Sequence, residues 1–287
     1  MATMRGLVLL LGGVAALAQD WRVPDVNAAE LLIVIEQSPR SYTLVLGKKL
    51  WKDARGPERI PISDRGAVER CRKLIDAGQF AEAASAVERM LAKNQADWDA
   101  YYLRALALHK QGKKEEARLA LRESLIGNRR NPDAWALLKE IVGRKLKRPV
   151  FEMRAWVRPA GKEVEIAYTG ESEADFPWLS YGIARAYYRY EGGYRREYGK
   201  AKYRFTFREE LLGIGAAVSG ARSAKKNREP VPKDLKRLLD LEKKKELVPF
   251  AFFAIYPEPI PRGSERGFDR LKPQLERYFD RRICGKR

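Results

Sequence analysis

The chain reads as mainly α: a run of helical hairpins, then an α+β part holding a β-hairpin and several more helices. Three observations carry this. First, Ala77-Gly78-Gln79-Phe80-Ala81-Glu82-Ala83 returns 34 residues later as Gln111-Gly112-Lys113-Lys114-Glu115-Glu116-Ala117. Second, apolar residues recur at helical spacing elsewhere, as in Trp135, Leu138 and Val142, and again in Trp178, Leu179, Ile183, Ala186 and Tyr190. Third, Phe151, Met153, Ala155 and Val157 alternate with Glu152, Arg154 and Trp156, and Val164, Ile166 and Tyr168 alternate again beyond Pro159-Ala160-Gly161. That pattern predicts a hairpin.

The repeat is built from small and large residues at set places. Gly78 and Gly112 each sit where a turn between two helices needs a left-handed backbone, which costs a residue with a Cβ energy. Close helix crossing needs small residues, supplied by Cys71 and Ala83 in the first unit and by Ala105 and Ala117 in the second. Leu74, Val87 and Leu91, then Tyr101, Leu108, Leu121 and Leu125, fill the space beside them. This period and pattern resemble the tetratricopeptide repeat, one helix-turn-helix per unit, over residues 64–143. The departures are Arg70 and Arg104 where a leucine is expected, Gln95 in place of a terminal proline, and Pro132 three residues late. Asp133 to Val142 reads as a capping helix. The resemblance implies a groove lined by the first helix of each unit. It places Val68, Arg72, Ile75 and Asp76, then Asp99, Tyr102, Leu106, His109 and Lys110, on that face. It implies a protein or peptide as partner and no cofactor.

The N-terminus predicts export. Arg5 precedes an uncharged apolar run from Leu7 to Leu17, and Ala16-Leu17-Ala18 offers a small-x-small cleavage site after Ala18. The run is too short to cross a bilayer, where about 20 residues are needed. The expected divisions are a signal peptide over 1–18, an N-terminal segment and linker over 19–63, the repeats over 64–143 and a basic α+β part over 149–287. Of the net charge of +19, most falls in residues 144–287, with 34 basic against 20 acidic groups. Outside the cytoplasm such charge points to anionic lipid, cell-wall polymer or acidic protein rather than nucleic acid. Gly192, Gly193 and Gly199 suggest an exposed loop that presents Arg195, Arg196, Lys200 and Lys202 to an anionic surface. Cys71 and Cys284 are the two cysteines; an exported chain can pair them, yet Cys71 takes a buried place that suits a small hydrophobe, and sequence leaves the pairing open.

Asn27-Ala28-Ala29-Glu30 resembles a capping box ahead of an apolar run and predicts a short helix there, while Ser41 to Leu46 alternates as a strand does. Lys48 to Ser63 reads as an exposed linker. Helices are expected over Trp178 to Tyr190, Arg208 to Ala221, Pro232 to Leu247 and Phe268 to Ile283. Gly213, Gly215 and Gly220 fit neither the dinucleotide nor the P-loop spacing and read as a closely packed helix. Glu171, Glu173 and Asp175 read as an acidic loop, although paired carboxylates across a cleft would signal acid-base chemistry. The aromatic and basic residues from Tyr181 to Phe207 read as core rings covered by arginine stems. His109 has no nucleophile placed beside it by any motif, and no catalytic or metal-ligating residue is assigned. The chain is thus expected to be an exported, non-enzymatic scaffold that binds another protein in the cell envelope. The alternative is a protein that binds envelope polymer or anionic lipid, or an enzyme on cell-wall polymers, acting through the C-terminal part.

Overall fold

Three short polar side chains, spaced close to the repeat period, start three helices. Asp64 accepts a hydrogen bond from the Ala67 amide at 3.1 Å, Asp97 from Asp99 and Ala100 at 3.0 Å, and Asn131 from Asp133 and Ala134 at 3.0 and 3.1 Å. Each satisfies donors that a first helical turn leaves unpaired. The resulting array in this computed structural model is α1 (Arg65–Asp76), α2 (Phe80–Lys93), α3 (Trp98–Lys110), α4 (Lys114–Gly127) and α5 (Pro132–Val142). Helices α2 and α4 have no side-chain cap; they leave directly from turns at Gly78 and Gly112, whose φ angles are 75° and 77°. Residues described are 32–38, 41–45, 64–95, 97–160, 163–168, 173–190, 193–199, 203, 205–256 and 268–285. The leader through Ala18, the Lys48 to Ser63 linker, Gly161, Glu171, Lys200 and Lys202 lie outside them.

The chain divides into two compact units, Met1–Glu58 with Phe151–Ala251, and Arg59–Val150 with Phe252–Arg287. In the repeat unit the four small residues Cys71, Ala83, Ala105 and Ala117 are fully buried. The Cys71 thiol lies 3.7 Å from the Ala83 carbonyl oxygen, so α1 and α2 cross nearly backbone to backbone. Ile75, Val87, Leu103, Leu121 and Leu125 fill the space around these contacts.

The second unit holds β1 (Leu32–Ser38), β2 (Ser41–Val45), β3 (Ala155–Ala160) and β4 (Glu163–Tyr168) in one antiparallel sheet, ordered β1-β2-β4-β3. The apolar run expected to form a helix after Asn27 is strand instead over Leu32–Ser38. Ile33, Val34 and Ile35 are β-branched and suit an extended backbone, and Ile33 pairs with Leu44 of β2. Helix α6 (Pro177–Tyr190) lies against β3 and β4, and a Cβ on Gly182 would overlap the buried Ile166. The unit continues with α7 (Gly193–Tyr198), α8 (Phe207–Lys226), α9 (Lys233–Lys243) and the start of α10 (Leu247–Ala254). Gly213, Gly215 and Gly220 are buried inside α8, where a Cβ on Gly213 would come within 2.6 Å of the Tyr181 ring.

Between α6 and α8 lies a buried ionic network. Arg185 donates to Glu209 at 3.1 Å and lies 3.8 Å from Glu210. Tyr181 donates to Glu210 at 2.8 Å and Tyr203 to Glu209 at 2.7 Å. Burial pushes both carboxyls up from their ordinary range, and the Arg185 charge pulls against it. The Arg185 guanidinium also sits 4.2 Å over the Phe205 ring, and Arg189 sits 4.1 Å over that of Tyr203. Tyr181, Tyr188, Tyr190, Tyr194, Tyr203 and Phe207 are therefore core, and Arg185 and Arg189 are their structural partners.

Residues 252–256 and 268–285, grouped by sequence with the basic part, fold with the repeats instead. Helix α11 (Phe268–Tyr278) runs on into a π-turn at Phe279–Ile283. Asp280 accepts from Arg118 and, at 3.2 Å, from Arg122, both on α4. Lys272 pairs with Glu123 at 2.6 Å. Buried Arg129 donates to the Tyr256 carbonyl at 2.5 Å, between the Phe252 and Tyr256 rings, each 4.5 Å away. Cys71 and Cys284 are both buried thiols rather than a disulfide.

Two stability measurements check this packing. Ala117→Phe forces a ring into the α3–α4 crossing and is expected to cost about 1–3 kcal/mol in a denaturant melt; an unchanged midpoint would show that the helices do not meet there. Arg185→Met strands two carboxyls in the core and is expected to cost about 3–5 kcal/mol. A loss much smaller than that would mean the network is open to water.

Candidate functional site

The first helices of the repeats, α1 and α3, and their counterpart α5 place a line of polar side chains on one face. The Arg72 guanidinium of α1 lies 5.7 Å over the Tyr102 ring of α3 and reaches Asp133 of α5 at 3.6 Å. Lys110 of α3 pairs with Asp76 of α1 at 3.5 Å. His109 Nε2 lies 2.8 Å from the Glu140 carboxylate of α5. Five groove residues expected from sequence, Arg72, Asp76, Tyr102, His109 and Lys110, thus join in one cross-helix ladder. Asp99 and Leu106 are half-buried on α3, as is Val68 on α1; Ile75 is instead fully in the core.

The ladder follows from the repeat period. Asp76 and Lys110 are 34 residues apart and occupy equivalent places in successive units. Asp133 and Glu140 stand one further period beyond Asp99 and Leu106. Sequence reasoning missed these two because it took α5 as a cap alone; extending the period by one more helix finds them. Tyr102 is half-buried, and its hydroxyl pKa is raised, chiefly by burial and then by the Asp133 carboxylate, with Arg72 opposing.

The other candidates separate. Arg195 and Arg196 are exposed, but on the short helix α7 rather than a glycine loop; Gly193 is buried because a Cβ there would come within 2.9 Å of the Tyr188 carbonyl oxygen. Asp175 is buried and turned to Arg154 at 3.4 Å, which also pairs with Asp234 at 3.2 Å. A cavity of about 270 Å³ opens nearby, lined by Ala174, Phe176, Ser180, Gly220, Asn227 and Glu229 among others, and Asp175 is not among its walls. Among the described residues no group of three or more His, Cys, Asp or Glu side chains could hold a metal ion, and no helix is long and apolar enough to cross a membrane.

No curated protein and no solved structure matches the chain. A family model described as tetratricopeptide repeat does match residues 72–138, and the helical hairpins of that stretch fit the repeat.

Proposed function

We propose that this chain is an exported, non-enzymatic scaffold whose repeat face holds a segment of another protein in the cell envelope. The observation that carries the reading is the ladder itself. Side chains from three alternate helices, α1, α3 and α5, converge on one face, with Tyr102 and Leu106 half-buried among them. Repeats of this family act as protein-interaction scaffolds, and a stacked array presents such a continuous face. Export rests on the leader ending at Ala16-Leu17-Ala18. The buried state of Asp175 and its pairing with Arg154 support structural work for that carboxylate rather than catalysis.

Affinity capture from an envelope extract tests the scaffold. Proteins retained by the wild-type chain are expected to be lost with the double variant Tyr102→Ala/Leu106→Glu, whose folding a melt verifies. Retention of the same proteins by a folded double variant would move the binding face elsewhere. Mass measurement of the chain recovered from its native host tests export: the mature protein is expected to start at Gln19, and a soluble chain still carrying the leader would remove the envelope setting.

A further inference from the structure

Two ion pairs and one histidine–carboxylate contact cross from helix to helix on the repeat face, and all three are oriented alike. In Asp76–Lys110 the carboxylate side chain is 71% exposed and the ammonium 42%. In Asp133–Arg72 the values are 57% and 44%, and in Glu140–His109 they are 66% and 18%. In each pair the acid is the more exposed partner; His109 is largely covered, while Arg72 and Lys110 stay partly exposed beside their carboxylates. Arg72 is held over the Tyr102 ring, and His109 Nδ1 is buried. Each carboxylate has about four lone-pair sites, and one partner below leaves the outer ones open.

This orientation selects the partner's charge. An incoming carboxylate would meet bases already paired, each beside a more exposed like charge. An incoming ammonium or guanidinium would meet acceptors already fixed by their partners, so less freedom is lost on contact. Tyr102 and Leu106, half-buried between the pairs, offer an aromatic and an aliphatic floor for the alkyl stem of a long cationic side chain. The face stands out against a chain with 57 basic and 38 acidic residues, which elsewhere repels such a partner. Resting on the scaffold reading above, we propose that the groove takes a cationic segment of another protein, rich in Lys or Arg with apolar residues between.

Fluorescence anisotropy on the full chain tests this with three short labelled peptides: one of Lys, Arg and Leu, one of Asp, Glu and Leu, and one of Ser and Leu. The variants are Asp76→Asn/Asp133→Asn/Glu140→Gln, the charge-retaining Asp76→Glu, and Tyr102→Ala, each verified as folded by a thermal melt. The cationic peptide is expected to bind wild type more weakly at high salt and to lose about ten-fold in affinity to the triple variant. It should keep most of its affinity for Asp76→Glu, and the acidic peptide should not respond to the triple variant. Should the triple variant fail to fold, Glu140→Gln alone, at the exposed partner of the half-buried histidine, must still weaken the cationic peptide. Cationic binding that ignores the amide substitutions, while Tyr102→Ala weakens another peptide, overturns the charge preference and leaves the groove standing. If neither the amide variants nor Tyr102→Ala changes the binding of any of the three, the groove reading falls as well.

Discussion

How closely the repeat helices approach one another decides what the repeat face can do. Cys71 against Ala83, and Ala105 with Ala117 one unit on, leave no side chain bulk between the helix backbones. Because those residues are small, the helices come close enough for Arg72 of α1 to span Tyr102 and reach Asp133, two first helices away. The same proximity lets Asp76 and Lys110 meet at 3.5 Å although a whole period of sequence separates them. A larger residue at any of the four positions would separate the helices and take the ladder apart with them, since a closely packed interior transmits displacement rather than absorbing it.

The two units solve their packing problems by different chemistry. The repeats bury mostly alanine and leucine and keep the ladder's charged contacts toward the surface, although Arg118 and Arg129 are buried there as well. The sheet-bearing unit buries charge: Glu209 and Glu210 are within 2% of full burial, and Arg185 with two tyrosine hydroxyls satisfies them. Such an arrangement adds less stability than an apolar core of the same volume. It does fix geometry, because each donor has one place to go. The register of α6 on α8 is set both by Gly213 under Tyr181 and by these hydrogen bonds.

The repeat was legible in the sequence because its determinants are local. A turn glycine, a small residue and a leucine at fixed offsets identify one helical hairpin wherever they fall, and the period then lays the helices side by side. Gly78, Gly112, Ala83 and Ala117 all lie where that reasoning puts them. Five of the ladder residues followed from the resemblance to the tetratricopeptide repeat, which implies a groove lined by the first helix of each unit, whereas Asp133 and Glu140 needed one more period than the two visible units suggested. What could not be read was the return of the C-terminus. Asp280 meets Arg118 across 162 residues, and no local pattern marks either as the other's partner. The strand at Leu32–Ser38 was hidden by a conflict of signals, a capping-box pattern at Asn27-Ala28-Ala29-Glu30 that suits a helix start and then β-branched residues that suit a sheet. The pairing with β2 decides in favour of the second.

Both thiols lie inside the repeat unit, Cys71 with no accessible surface and Cys284 with 3%. Burial raises the pKa of the Cys71 thiol, which suppresses the thiolate, the form that attacks disulfides and reacts with oxidants. The fold of this unit therefore makes no demand on the redox potential around it. Glutathione and an oxidising solution alike would find the same side chains in the same state, so this unit needs no disulfide isomerase to reach its fold.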